Sequence, residues 1–103
     1  MTSARPGSLY SEFFRRLRAR PLSSWSINNR AAIAQTAAAE LATLGWAQLH
    51  PTGQAPPVPD LGPHALADQL EVLLVEAERT GADPAVLRRL IVDLAQTLSV
   101  RLD

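Results

Sequence analysis

Residues 29–49 read Asn-Arg-Ala-Ala-Ile-Ala-Gln-Thr-Ala-Ala-Ala-Glu-Leu-Ala-Thr-Leu-Gly-Trp-Ala-Gln-Leu, and the fold class turns on how this run is taken. At helical period, Ile33, Ala37, Leu41 and Leu44 share one face, while Ala31, Ala38, Ala42, Trp46 and Leu49 share a second. Only a narrow strip with Thr36, Glu40 and Thr43 is polar. Alanine is the strongest helix former, and its short side chain lets neighbours come close. A helix apolar on nearly every side is covered by other elements on several sides. The run predicts a long central helix.

Upstream, Leu9, Phe13 and Leu17 recur every fourth residue, with Tyr10 and Phe14 beside them, so a short amphipathic helix is expected there. Ser8 suits its N-cap, and Ser11-Glu12 places a carboxylate in the first turn, where the helix dipole favours it. Arg15, Arg16 and Arg18 fall on the opposite side and in the last turn; Pro21 ends the helix because the residue before a proline avoids the α region. Residues 22–27 form a connector rich in turn-forming serines, with Ser26, Asn28 or Asn29 available to cap the central helix. Residues 1–7, with Pro6-Gly7 and no periodicity, read as a loose arm.

Downstream, His50-Pro51 stops the central helix, and residues 51–63 hold five of the eight prolines and two glycines, a clear loop. Leu66, Leu70, Leu73, Leu74 and Ala77 make the stripe of a third helix over residues 63–80, closed by Gly81. Asp83-Pro84 restarts a helix with a capping carboxylate and proline at the first helical position. This fourth helix is expected over residues 84–101, with Leu87, Leu90, Ile91, Leu94, Leu98 and Leu102 on one face. Only three residues separate helices three and four, which predicts an antiparallel hairpin. The expected fold is all-α: residues 1–103 form a single domain, a small bundle of about four helices.

Composition narrows the function. The chain has 103 residues, 47% hydrophobic and 19% charged, as in globular proteins. It lacks cysteine, which removes disulfides, thiolate metal sites and cysteine nucleophiles. No apolar run approaches the length of a membrane span, and the first residues lack the apolar core of a signal peptide, so a cytoplasmic protein is expected. All ten basic residues are arginine, and Ala and Leu dominate the apolar set, the signature of a GC-rich, bacterial genome. Residues 1–30 hold six arginines against one acid, whereas residues 31–103 hold four against nine. The zero net charge hides a dipolar chain.

Nothing in the sequence assembles a catalytic constellation. His64, Asp68 and Glu71 share a helical edge that has metal-ligand chemistry, but carboxylates in the first turns of a helix are expected from the dipole alone. The sequence contains no His-Glu-x-x-His pair, glycine-rich phosphate loop or Gly-x-Ser-x-Gly elbow, and no serine has a histidine nearby. No enzyme activity, cofactor, metal or small-molecule substrate is expected.

The arginines are the most informative residues. Arg15, Arg16, Arg18, Arg20 and Arg30, with Asn28 and Asn29, form a basic and amide-bearing set suited to an acidic protein surface or to nucleic-acid phosphates. A helix this short buries too little apolar area to hold a membrane alone. Leu41-Ala42-Thr43-Leu44-Gly45 invites a helix-turn-helix reading, but Pro51 cuts off the would-be recognition helix. A winged-helix alternative takes residues 31–44 as reading helix, residues 46–50 as a wing strand and Thr52-Gly53 as the wing turn. Residues 56–59 meet the Pro-x-x-Pro pattern, which between two helices reads as a stiff linker. Val72, Val75, Val92 and Val100 lie off the main stripes of helices three and four and mark a possible interface. The sequence thus points to a non-catalytic, regulatory interaction protein that binds another protein or itself, with a homodimer expected. The alternative is a small DNA-binding transcriptional regulator using the arginine-rich region.

Overall fold

A computed structural model describes residues 10–50 and 52–99. Among them the chain forms four α-helices: α1 (Ser11–Ala19), α2 (Arg30–Leu49), α3 (Leu66–Thr80) and α4 (Pro84–Leu98). Two 3-10 segments, Leu22–Asn29 and Pro63–Ala65, lead into α2 and α3. No strand occurs among the described residues. The fold is all-α, and its longest helix is the Ala-rich one.

The expected stripe of α1 is inside: Phe13, Phe14 and Leu17 are buried, and the two rings meet edge-on with centroids 5.1 Å apart. Ser8 and Leu9 lie outside the described residues. Arg20 leaves the helix with extended backbone (ψ 134°), as Pro21 requires. The connector is more ordered than a simple turn. Ser24 Oγ donates to the Pro21 carbonyl at 2.7 Å and Ser26 Oγ to that of Ser23 at 2.8 Å, while the Trp25 side chain is buried.

No side chain caps α2, contrary to the roles expected for Ser26, Asn28 and Asn29. The two asparagines instead take left-handed backbone (φ 52° and 59°), which Asn tolerates better than most residues. They make a sharp corner after Ile27, whose backbone is extended.

Helix α2 runs unbroken through Gly45, so the helix-turn-helix pattern at Leu41 to Gly45 has no turn in it. The winged-helix alternative is overturned as well. Trp46 to Leu49 are the last residues of α2, not a wing strand. The glycine serves packing: a Cβ there would lie 3.4 Å from Ala77 Cα on α3. With Ala34, Ala37 and Ala38 also buried, α2 presents a seam of small residues. Helix α3 is its principal neighbour.

Helix α3 ends as expected, with Gly81 left-handed (φ 97°) and the Ala82 N–H donating to the Ala77 carbonyl at 3.0 Å. Asp83 caps α4 by accepting from the Ala85 N–H at 2.9 Å, with Pro84 at the first position. Helix α4 ends at Leu98, before the expected Arg101, because Ser99 turns left-handed (φ 57°); residues 100–103, with Val100 and Leu102, lie outside the described residues. Three residues join α3 and α4 as expected, and α2 packs against both. Phe13, Phe14, Leu17, Leu41, Leu70, Leu74, Leu87, Ile91 and Leu98 are fully buried, so all four helices feed the core.

Candidate functional site

The arginine set is largely engaged within the chain. Arg15 and Arg16 both pair with Glu12 one turn away, with Nε–O distances of 2.9 and 2.8 Å. Arg18 reaches across to α3, where its Nε donates to Asp68 Oδ1 at 2.8 Å and its Nη2 pairs with Glu71. Arg20 donates through Nη2 to the Leu98 carbonyl at 2.6 Å, at the C-terminal end of α4, where the helix dipole favours a cation. Arg18 and Arg20 tie α1 to α3 and α4, while the Arg15 side chain stays largely exposed beside Glu12. Arg30 has no ion pair or hydrogen bond through its guanidinium among the described residues, and Asn28 and Asn29 are exposed.

The electrostatics follow these contacts. The hydrogen bond from Arg15, aided by the charges of Arg15 and Arg16, holds the Glu12 carboxyl below the usual glutamate range against opposing desolvation. Stability from this depressed carboxyl is full above its unfolded-state pKa and is lost as pH falls through the lower folded value. Glu71 and then Asp68 hold Arg18 more firmly protonated. Burial pushes Arg20 down, and the nearby positive charge of Arg30 adds to that.

Arg18→Gln is expected to lower unfolding free energy by about 1 kcal/mol, since both partners sit near the surface and exposed ion pairs contribute modestly. Arg15→Gln, which removes only an exposed pair within one turn of α1, should lower the urea midpoint less. Equal midpoints for the two variants would show that the α1–α3 bridge contributes nothing.

The bridge also engages the edge that has metal-ligand chemistry. Asp68 and Glu71 accept from Arg18, and no group of three metal-donor side chains occurs among the described residues. His64 is exposed and sits over Gly62, and His50 stacks on Trp46 with ring centroids 4.0 Å apart.

One concave feature was not anticipated. The C-terminal half of α2, the face of α3 beside it and the loop of residues 52–62 enclose a groove of about 630 Å³. Leu41, Gly45 and Leu73 lie at its base, and Leu49, Leu61 and Val72 line it while remaining 63%, 54% and 65% exposed. The proline-rich run forms one wall. Gln69 Nε2 donates to the Pro59 carbonyl at 2.8 Å, and Gln35 Nε2 to that of Val58 at 3.4 Å. Asp60 accepts from the Gly62 N–H at 3.0 Å, closing the turn before the second 3-10 segment. Residues 56–59 thus serve this chain's own architecture, with Val58 packed against the core. Asp68 and Glu76 supply charge along the α3 side, and no arginine lines the groove among the described residues.

Of the four valines expected at an interface, Val72 lines this groove; Val75 and Val92 are half-buried and do not, and Val100 lies outside the described residues. The missed signal was the second apolar face of α2. Trp46 and Leu49 were expected to be covered by neighbours, yet the loop leaves Leu49 exposed.

Comparison with protein-family models, curated proteins and solved structures finds no match to this chain. No helix among the described residues is long and apolar enough to cross a membrane.

Proposed function

We propose that the chain is a non-catalytic helical interaction module that takes an apolar protein segment into the groove between α2, α3 and the proline-rich loop. One observation carries this reading: among the described residues six large apolar side chains are exposed, and three of them, Leu49, Leu61 and Val72, converge on this groove. Scattered exposed apolar residues are ordinary, whereas a contiguous set marks a binding surface. These side chains stand well out in solvent rather than sealed inside. A polypeptide segment spanning the groove covers them more fully than a small molecule at its base. The acidic edge selects against acidic segments.

A nucleic-acid role has less support. Arg15, Arg16, Arg18 and Arg20 already have partners in the chain, and phosphates would have to compete with those bonds.

The test uses the full chain against a random displayed peptide library, with the neutral apolar dye Nile red as a second probe. Expected are enriched peptides with apolar anchors that displace the dye, and loss of both kinds of binding in Val72→Arg, whose exposed position leaves folding intact by circular dichroism. Peptides that bind the variant as well as the native chain would overturn the reading, and so would a failure to enrich any peptide.

A further inference from the structure

We infer that the segment taken into the groove is a basic one: it carries an arginine or lysine that pairs with Glu76, while its apolar residues cover Leu49, Leu61 and Val72. This rests on the reading of the groove as a docking site for a protein segment.

The charged residues that line the groove, among those described, are two acids and no arginine. Asp68 already accepts from Arg18. Glu76 is exposed and has no ion pair among the described residues. It stands one turn beyond Val72 on the lining face of α3, so a segment that covers Val72 lies beside its carboxylate. An apolar or acidic residue placed there strips hydration from the carboxylate with nothing in exchange. A guanidinium or ammonium replaces that hydration with a charge-assisted hydrogen bond.

The remaining polar groups of the loop and of α3 also favour a donor. Three of residues 56–59 are proline, so this stretch of wall has four carbonyls and one N–H. Gln69 directs its amide nitrogen to the Pro59 carbonyl, and its Oε1 is buried without a hydrogen-bond partner. The Thr80 hydroxyl donates to the Ala77 carbonyl at 3.1 Å, within α3 itself. Acceptors outnumber donors along these two sides, and arginine and lysine side chains are donors only.

The packing of α2 on α3 also gives the cation a place. Gly45 lets α2 come against Ala77, and the residues next to these two, Trp46 and Glu76, both line the groove beside that crossing. An indole beside a carboxylate suits a long cationic side chain, whose stem lies on apolar surface while its head reaches the charge.

The experiment is selection from the random displayed peptide library on the full chain and, side by side, on Glu76→Lys, with Nile red binding measured for both. Both should fold by circular dichroism and bind the dye alike. The native chain should enrich peptides with apolar anchors and an excess of arginine or lysine over the unselected library. The variant should enrich aspartate or glutamate in their place. A peptide enriched on the native chain should bind Glu76→Gln about two- to fivefold more weakly, with the difference shrinking at high salt, as for an exposed ion pair. Unchanged affinity in Glu76→Gln would overturn the basic-segment proposal. Peptides that displace Nile red and need Val72, but show no basic excess or keep it on Glu76→Lys, would also overturn it and leave the groove reading standing. Failure to enrich any peptide would overturn both, and so would basic peptides that bind Val72→Arg as well as they bind the native chain.

Discussion

Replacing Phe13 with alanine should cost about 3–5 kcal/mol of unfolding free energy, the usual penalty for removing a fully buried ring. Domains of this size have about 5–15 kcal/mol in total, so the variant would be at the edge of folding. The ring is wholly inaccessible to solvent and lies edge-on to Phe14. Its loss is felt strongly because α1 has only nine residues, too few to hold a helix unaided. Tertiary contacts keep α1 in place, and of these the Phe13, Phe14 and Leu17 stripe outweighs the Arg18 bridge severalfold. Urea unfolding monitored by circular dichroism measures this directly. A Phe13→Ala midpoint within error of the native one would mean that the stripe is not packed in the core.

Trp25→Ala is the second large effect, again about 3–5 kcal/mol. Trp25 is the one buried residue of Leu22–Asn29, so its side chain is that segment's main anchor in the core. The chain has two tryptophans, which makes the result easy to read. Trp25 is 3% exposed, while Trp46 is half-buried and stacked on His50. In the alanine variant the blue-shifted part of the emission should vanish, leaving the redder signal of Trp46. Trp25→Phe should recover much of the stability, since most of the buried volume is restored. Retention of blue-shifted emission and native stability in Trp25→Ala would place the buried indole at Trp46 instead.

What could be read from the sequence was local. The Phe13 and Leu17 spacing, the Ala-rich run, Gly81 as a terminal cap and Asp83-Pro84 as a restart each depend on residues within a turn or two of one another, and all four appear in the fold. Arg18 shows where such reading stops. A helical wheel puts it away from the apolar stripe, but its partners Asp68 and Glu71 lie 50 and 53 residues further on, and nothing local says which helix will cross beside it. Gly45 invited a turn only in the alternative readings, while the expected central helix runs through it. Its context resembles a turn, and a mid-helix glycine costs up to about 1 kcal/mol relative to alanine, yet close contact with Ala77 gives it a role inside α2. The groove was hidden because glutamine side chains hold its wall by backbone carbonyls. Any residue has a carbonyl, so Gln35 and Gln69 leave no pattern that predicts where residues 56–59 will lie.

The two sides of that groove differ in how readily they yield. The side made by α2 and α3 rests on closely packed small residues, where displacement opens voids, so its amides should exchange with solvent only through near-global unfolding. The opposite side is a loop tied down mainly by two glutamine amides, each hydrogen bond having a net strength of about 1 kcal/mol. Occupants of different bulk are therefore accommodated by outward movement of the loop alone, with the helical side acting as a fixed template. Binding would register as slower exchange at the amides of residues 52–62, while those of α2 and α3, already protected, would report nothing.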